Sequence, residues 1–384
     1  MIISNVKLCG SDEVLDITVH NEKIAAIPHH VTDNFPAELN LKFERTIVFP
    51  GLINSHDHLD FNLYPQFGNN IYSNYTEWGK HIHENYSGEI AGVLKIPQNL
   101  RSLWGIYKNL LCGVTTVVNH GEKLGLNNDL ITVFEDTHCL HSVHFEKDWK
   151  IKLNNPLKLK VPVNIHVGEG EDFLSFKEID ELTKYNLFRR RLIGIHAVAM
   201  SQNQARKFEA VVWCPESNFF LLNKTAKVHM LKKYTNILFG TDSTLTSSWN
   251  VWEHLRLARK IGLLDDNTLY NTINKNAAQT WKLNSGEISE GKDADLVVAK
   301  IKNNKTGFNS FFETGPADLL LVLHKGNIRL FDETLLTQLN EVELSNFSKF
   351  YVDGVCKYVQ GDLPGLMEKI KEFKPGVRFP VSVS

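Results

Sequence analysis

His56 and His58 stand two residues apart in the stretch VFPGLINSHDHLDF, and on an extended strand that spacing points both imidazoles to one face. Two imidazoles at a strand end suit a metal, but two ligands do not hold one, so further donors must come from elsewhere in the chain. His166 interrupts the apolar run VPVNIHVGEGEDF, His196 interrupts LIGIHAVAM, and Asp242 follows Gly240 in NILFGTDSTL. A polar group buried unpaired in such a run costs free energy, so each needs a partner. A core histidine satisfied by hydrogen bonds, or a helix N-cap at Asp242, would also answer that need. Taken together, histidines and a carboxylate from separate strand ends form a nitrogen and oxygen donor set for one divalent transition metal, with zinc expected and iron or manganese able to accept the same ligands. Glu169, between Gly168 and Gly170 and three residues after His166, places an acid beside that set.

These residues need a scaffold that gathers strand ends. Apolar runs GVTTVVNH, CLHSVHF, VPVNIHV, LIGIHAV, AVVWCP and NILFGTDS alternate with amphipathic stretches such as NVWEHLRLARKIGLL, which predicts an α/β chain with a (β/α)₈ barrel. In that fold, functional side chains collect at the C-terminal ends of the strands. The connection EKDWKIKLNNPLKLK is too short for a full crossover helix, so the barrel is expected to be distorted there. Alternating segments near both termini, MIISNVKL, EVLDITVH and KIAAIP early and ADLVVAKI and DLLLVLHKGNIRLF late, predict one small sheet domain built from both ends of the chain. The expected division is residues 1–50 with 285–335 as the small domain, 51–284 as the barrel, and 336–384 as an extension packing on it.

Other residues are placed by position alone. The segment from Phe61 to Ile96 is crowded with aromatics and polar residues, and Tyr72, Tyr75, Trp78, His81 and His83 could roof the site and bind a planar substrate. His120 and Glu122, after the second barrel run, would face the pocket as substrate contacts or as supports for a ligand.

Composition narrows the function further. With 384 residues, 42% hydrophobic, 22% charged and a net charge of -2, a large core is available and no charged partner is implied. A nucleic-acid role is not expected, and KIKLNNPLKLK reads as a solvated connection. Cys9, Cys112, Cys139, Cys214 and Cys356 are scattered and form no Cys-x-x-Cys pair, which points to a reducing cytoplasm. Cys214 has no activating base beside it in sequence, which sets aside a cysteine hydrolase. The start of the chain lacks a basic region followed by an apolar stretch, and no apolar run has a membrane helix's length of about 18 residues. Neither secretion nor a membrane is expected; the apolar GLMEKIKEF segment leaves a homo-oligomer open.

Six segments in order, VFPGLINSHDHLD, VNIHVGEG, IGIHAVAM, VVWCPESN, ILFGTDS and GEISEGKDADLVV, resemble the amidohydrolase superfamily, on its deaminase and chlorohydrolase branch. The resemblance implies a distorted (β/α)₈ TIM barrel with a small β-sandwich domain formed from both termini. It implies one metal bound by His56, His58, His166 and Asp242, and a catalytic group of Glu169, His196 and Asp242. Glu169 would shuttle a proton, while His196 and Asp242 would activate water. Ser217 and Asn218 lie where this branch holds substrate or supports the metal site, and join Trp78 and His120 as substrate-binding candidates. The family's binuclear members carry a modified lysine on the fourth strand; here Lys147 comes only after that strand has ended, which favours one metal. The implied reaction cleaves a non-peptide C–N bond of a small molecule, most directly deamination of a heterocycle or amidine. Amide or halide hydrolysis in the same site, or a non-catalytic binding relative, are the alternatives.

Overall fold

A computed structural model describes residues 1–11, 13–28, 39–126, 128–340 and 342–383. The first five strands are Ile2–Leu8 (β1), Val14–His20 (β2), Lys23–Ala26 (β3), Asn40–Lys42 (β4) and Thr46–Pro50 (β5). Eight more follow: Leu52–Asp57 (β6), Val114–Asn119 (β7), Thr132–Phe134 (β8), His138–Ser142 (β9), Val163–Val167 (β10), Leu192–His196 (β11), Ala210–Trp213 (β12) and Asn236–Phe239 (β13). The last are Leu296–Lys300 (β14), Leu319–His324 (β15), Asn327–Asp332 (β16), Phe347–Val352 (β17) and Val355–Gln360 (β18).

The middle eight pair in parallel as two hydrogen-bonded groups, β6-β7-β8 and β13-β12-β11-β10-β9. The two groups meet where the Thr241 and Asp242 amides both donate to the His56 carbonyl, at 3.1 and 3.0 Å. Strands β10, β11 and β12 are buried along their whole length, which is why they read as continuous apolar runs instead of alternating ones. β8 is three residues long, too short to show any periodicity. Between β9 and β10 the helix Trp149–Leu153 spans only five residues, as the short connection predicted.

The remaining ten strands form one mixed sheet in the order β17-β18-β16-β15-β14-β5-β1-β2-β3, with β4 beside β1. Both termini therefore meet in it, through β14 antiparallel to β5. Ile3, Val6, Ile17, Val48, Val298, Leu321 and Phe331 share its core. Beyond the β15–β16 hairpin, β17 and β18 lengthen the sheet, and the helix Leu363–Phe373 lies against the helix Gln98–Leu110 with Leu363, Leu366, Met367 and Ile370 buried. Among the described residues, no helix is long and apolar enough to cross a membrane.

Two close approaches hold the first parallel strand in place. A β-carbon at Gly105 would lie 2.1 Å from the Leu59 carbonyl oxygen, so glycine lets the helix Gln98–Leu110 touch the turn that follows β6. A β-carbon at Gly240 would lie 2.8 Å from His56 Cβ, so glycine there lets β13 close on the strand that carries His56.

Candidate metal centre and active site

The C-terminal ends of the parallel strands converge on a cluster of imidazoles. His56 and Asp57 end β6 and His58 follows; His166 lies in β10, His196 ends β11, and Asp242 comes three residues after β13. His56 Nε2 and His58 Nε2 stand 3.3 and 3.4 Å from His166 Nε2, and 3.6 and 3.8 Å from Asp242 Oδ1. A tetrahedral metal with bonds of about 2.1 Å needs donor-to-donor edges of about 3.4 Å. The four separations lie at or somewhat above that edge, and among the described residues two groups could hold a metal ion, His56 with His120 and His166, and His56 with His196 and Asp242.

Each donor is aimed by its neighbours. His166 Nδ1 donates to the His141 carbonyl at 2.9 Å, which leaves the Nε2 lone pair facing the cluster. Ser217 Oγ and Thr246 Oγ1 donate to Asp242 Oδ2 at 2.9 and 3.1 Å, and the Ser243 amide to Oδ1 at 2.8 Å. Burial, with the His56 charge adding to it, pushes His58 down to about 3; burial also holds His166 well below the ordinary imidazole range. Both imidazoles are thus neutral at physiological pH, the form in which an imidazole can bind a metal. Burial opposes ionisation of Asp242, but its hydrogen bond and charge interaction with His56 outweigh it and hold the carboxyl well below its usual range. His196 (φ 68°), Ala197 (φ 52°) and Asp242 (φ 59°) adopt left-handed backbone conformations, a strain that concentrates where side chains are held for function.

The neighbouring groups have the means to move protons. Glu169 Oε1 lies 3.5 Å from His196 Nε2. Burial, reinforced by the Asp242 and Glu178 carboxylates, holds the Glu169 carboxyl well above the ordinary range, so it can carry a proton near neutral pH. Burial pushes His196 down to about 3. Asn218 Oδ1 accepts from Thr225 Oγ1, so its Nδ2 faces His196 Nδ1 at 3.0 Å, and His196 presents Nε2–H to the carboxylates. The segment bearing Glu169 is clipped to the loop after β6: the Tyr75 amide donates to the Glu169 carbonyl at 3.0 Å and Asn74 bridges to Gly170.

The substrate candidates divide. Ser217 and Asn218 are fully buried and orient Asp242 and His196. Trp78, Tyr75 and His83 line the cavity above the cluster, while Tyr72 and His81 pack on each other 5.4 Å apart. His120 is buried with its ring centroid 4.2 Å from that of His166, and neither of its nitrogens has a hydrogen-bond partner among the described residues. Glu122 is exposed and not among the cavity-lining residues; the chain turns outward after His120 and carries it away from the pocket. The end of β9, the fourth parallel strand, presents His141 to the cavity and no lysine.

Sequence reasoning missed four supporting residues. Asp57, between the two paired histidines, is buried in an ion pair with Lys108 at 3.0 Å and accepts from Asn109 at 2.7 Å and Asn62 at 2.9 Å. Lys108 is 2% exposed, and nothing in its local sequence marks it. Thr246 had a signal in the hydroxyl-rich run after Asp242. His141 stood in the quoted CLHSVHF run, but its role depends on a carbonyl contact that no pattern shows.

Residues 153–329 match the model of the amidohydrolase family. A 5-methylthioadenosine/S-adenosylhomocysteine deaminase of Pyrococcus furiosus is 24% identical over 91% of this chain and 99% of its own. A zinc-bound adenosine deaminase structure from Xanthomonas campestris superposes with a TM-score of 0.72 at 15% identity over 98% of both chains. A zinc complex of atrazine chlorohydrolase from Arthrobacter aurescens superposes with a TM-score of 0.65 at 15% identity, over 85% of this chain and 94% of that one. Residues 153–329, which carry His166, Glu169, His196 and Asp242, are thus the stretch that matches the amidohydrolase family.

Proposed function

We propose that the protein is a metal-dependent aminohydrolase that replaces the amino group of a small heterocycle or amidine by oxygen, releasing ammonia. The observation that carries this reading is the convergence of His56, His58, His166 and Asp242, with neighbouring donors 3.3 to 3.8 Å apart, beside a buried Glu169 able to hold a proton. Those four side chains would hold one divalent ion, zinc being our choice, and it would supply an acidified water, with a pKa lowered from about 15.7 towards 7. Asp242, its Oδ2 held by the Ser217 and Thr246 hydroxyls, would be the group that takes up the proton of the attacking water. His196, fixed by Asn218, directs Nε2–H at the charge that builds as the C–O bond forms. The Glu169 carboxyl protonates the nitrogen, the C–N bond breaks and ammonia leaves.

The two parallel groups are read as the eight strands of a distorted (β/α)₈ barrel, with the mixed sheet folded as a small β-sandwich. The division into residues 1–50 with 285–335 and 51–284 belongs to the same proposal; within 336–384, β17 and β18 join the mixed sheet, while the helix Leu363–Phe373 packs on Gln98–Leu110. Five free cysteines support a cytoplasmic location.

The test is metal content per chain by elemental mass spectrometry, with His56→Ala as control, followed by assays for ammonia and for chloride release. About one metal per chain, lost in the variant, with ammonia released from an amino-heterocycle, is expected. Chloride release alone would make the protein a halide hydrolase, two metals would favour a binuclear amidase, and no metal under zinc, iron or manganese supplementation would overturn the proposal.

A further inference from the structure

A cavity of about 580 Å³ opens outward from His58, Glu169 and Asp242. Its floor is polar, but its outer walls are built from Phe61, Trp78, Ile82, Leu94, Phe145 and Leu245. Three polar atoms on those walls are already engaged with protein, which leaves the Tyr64 hydroxyl and the exposed His83 ring as the other polar groups there. Trp78 Nε1 donates to the Phe67 carbonyl at 2.6 Å, Thr76 Oγ1 to Asn74 at 2.6 Å, and the Tyr75 hydroxyl to Glu178 at 3.3 Å. Apart from Glu169 and Asp242 at the floor, the only lining residue among those described that always carries a charge is Lys80; its side chain is 76% exposed and pairs with Glu84 at 3.9 Å. The outer chamber therefore offers no carboxylate to a diol and no enclosed cation to an acidic group. A hydroxyl or carboxylate entering it would give up water for a lining that is mostly apolar, with Tyr64 and the exposed His83 as its few polar neighbours.

We infer that this chamber selects amino-heterocycles bearing a neutral alkyl or aryl substituent, and rejects those bearing a sugar or a charged tail. The inference rests on the aminohydrolase reading and specifies its substrate class. The ring sits at the floor, where its C–NH₂ carbon meets the water and Glu169 protonates the departing nitrogen. The substituent extends along Phe61, Trp78 and Leu245 towards the rim at Leu94 and Phe145, which are 53% and 50% exposed. Each methylene buried there strengthens binding roughly fourfold.

The experiment uses the metal-loaded full chain and two ring series, adenine and aminotriazine. Each ring is tested bare and with butyl, benzyl, ribosyl and carboxypropyl substituents. We expect kcat/KM for ammonia release to rise at least tenfold from the bare ring to the butyl and benzyl members, mainly through KM, with ribosyl and carboxypropyl members at or below the bare ring. Ribosyl or carboxypropyl members matching the butyl member would overturn the inference while leaving the aminohydrolase reading intact. Absence of ammonia from every member would count against that reading, and binding then decides the chamber separately. Calorimetric dissociation constants for the same ligands on the Glu169→Gln protein should keep the preference for butyl and benzyl, and its absence overturns the inference. The rim variants Leu94→Ser and Phe145→Ser, at exposed positions, should each shrink the ratio of benzyl to bare-ring kcat/KM at least fivefold; unchanged ratios would also overturn it.

Discussion

Replacing Glu169 by glutamine should move turnover and stability in opposite directions. The amide keeps the shape of the side chain but cannot shuttle a proton. Glu169 is 5% exposed with Oε1 3.5 Å from His196 Nε2, and it is not one of the four converging donors. Metal content should therefore hold at about one per chain. Loss of general acid and base chemistry lowers kcat by about 10²–10⁴-fold, or about 3–5 kcal/mol in the barrier. Stability of the chelator-stripped protein should respond the other way. Burial first, then Asp242 and Glu178, raise this carboxyl well above 4.5 in the folded chain, so between the unfolded and folded values the unfolded chain binds fewer protons. The group's contribution is fully present below the unfolded value and is lost as pH rises through the folded one. Glutamine removes that loss, so the variant should be more stable than the parent in urea at pH 8 and similar to it near pH 4. Ammonia release, elemental analysis and urea midpoints at the two pH values read all three effects. Turnover within threefold of the parent would remove Glu169 from the mechanism, loss of metal would make it a ligand, and a destabilised variant at pH 8 would refute the burial argument.

Three further outcomes follow from the supports around the cluster. Lys108→Met leaves Asp57 as an unpaired charge in the interior, and denaturant unfolding should show a loss of about 3–5 kcal/mol; a loss under about 1 kcal/mol would mean that Asn109 and Asn62 suffice. Gly240→Ala pushes a methyl to within 2.8 Å of His56 Cβ, and competition with a chelator should show metal affinity reduced at least tenfold, whereas unchanged affinity would show that β13 can shift freely. His120→Phe removes two buried nitrogens that have no hydrogen-bond partner among the described residues, so the melting temperature should hold or rise while turnover falls about tenfold or more; equal turnover would reduce His120 to packing.

Much of the site was legible because its chemistry is written in single residues that interrupt apolar strands. His166 and His196 stand out in VNIHV and LIGIH since a polar group there needs a partner, and Glu169 stands out between two glycines. The strands were legible for the same reason: β10, β11 and β12 are buried on both faces and so are apolar throughout. Strand β8 was not, because three residues carry no period. The β17–β18 pair was also missed, since its burial is mostly partial and its apolar pattern correspondingly weak.

The sequence by itself determined the donor types, their order along the chain and the strand ends that bear them, because these follow from local composition and period. Only the tertiary structure decided which side chains meet. Lys108 reaches Asp57 from a helix 51 positions away, Asn218 orients His196 across 22, and Glu122 swings out to solvent two residues after a buried His120. Such contacts depend on how packed strands and helices bring remote atoms within about 3 Å, a distance at which hydrogen bonds form and which no local pattern encodes. The apolar outer chamber belongs to the same class, for its character comes from where the Trp78, Thr76 and Tyr75 polar atoms turn, and not from which residues the loop contains.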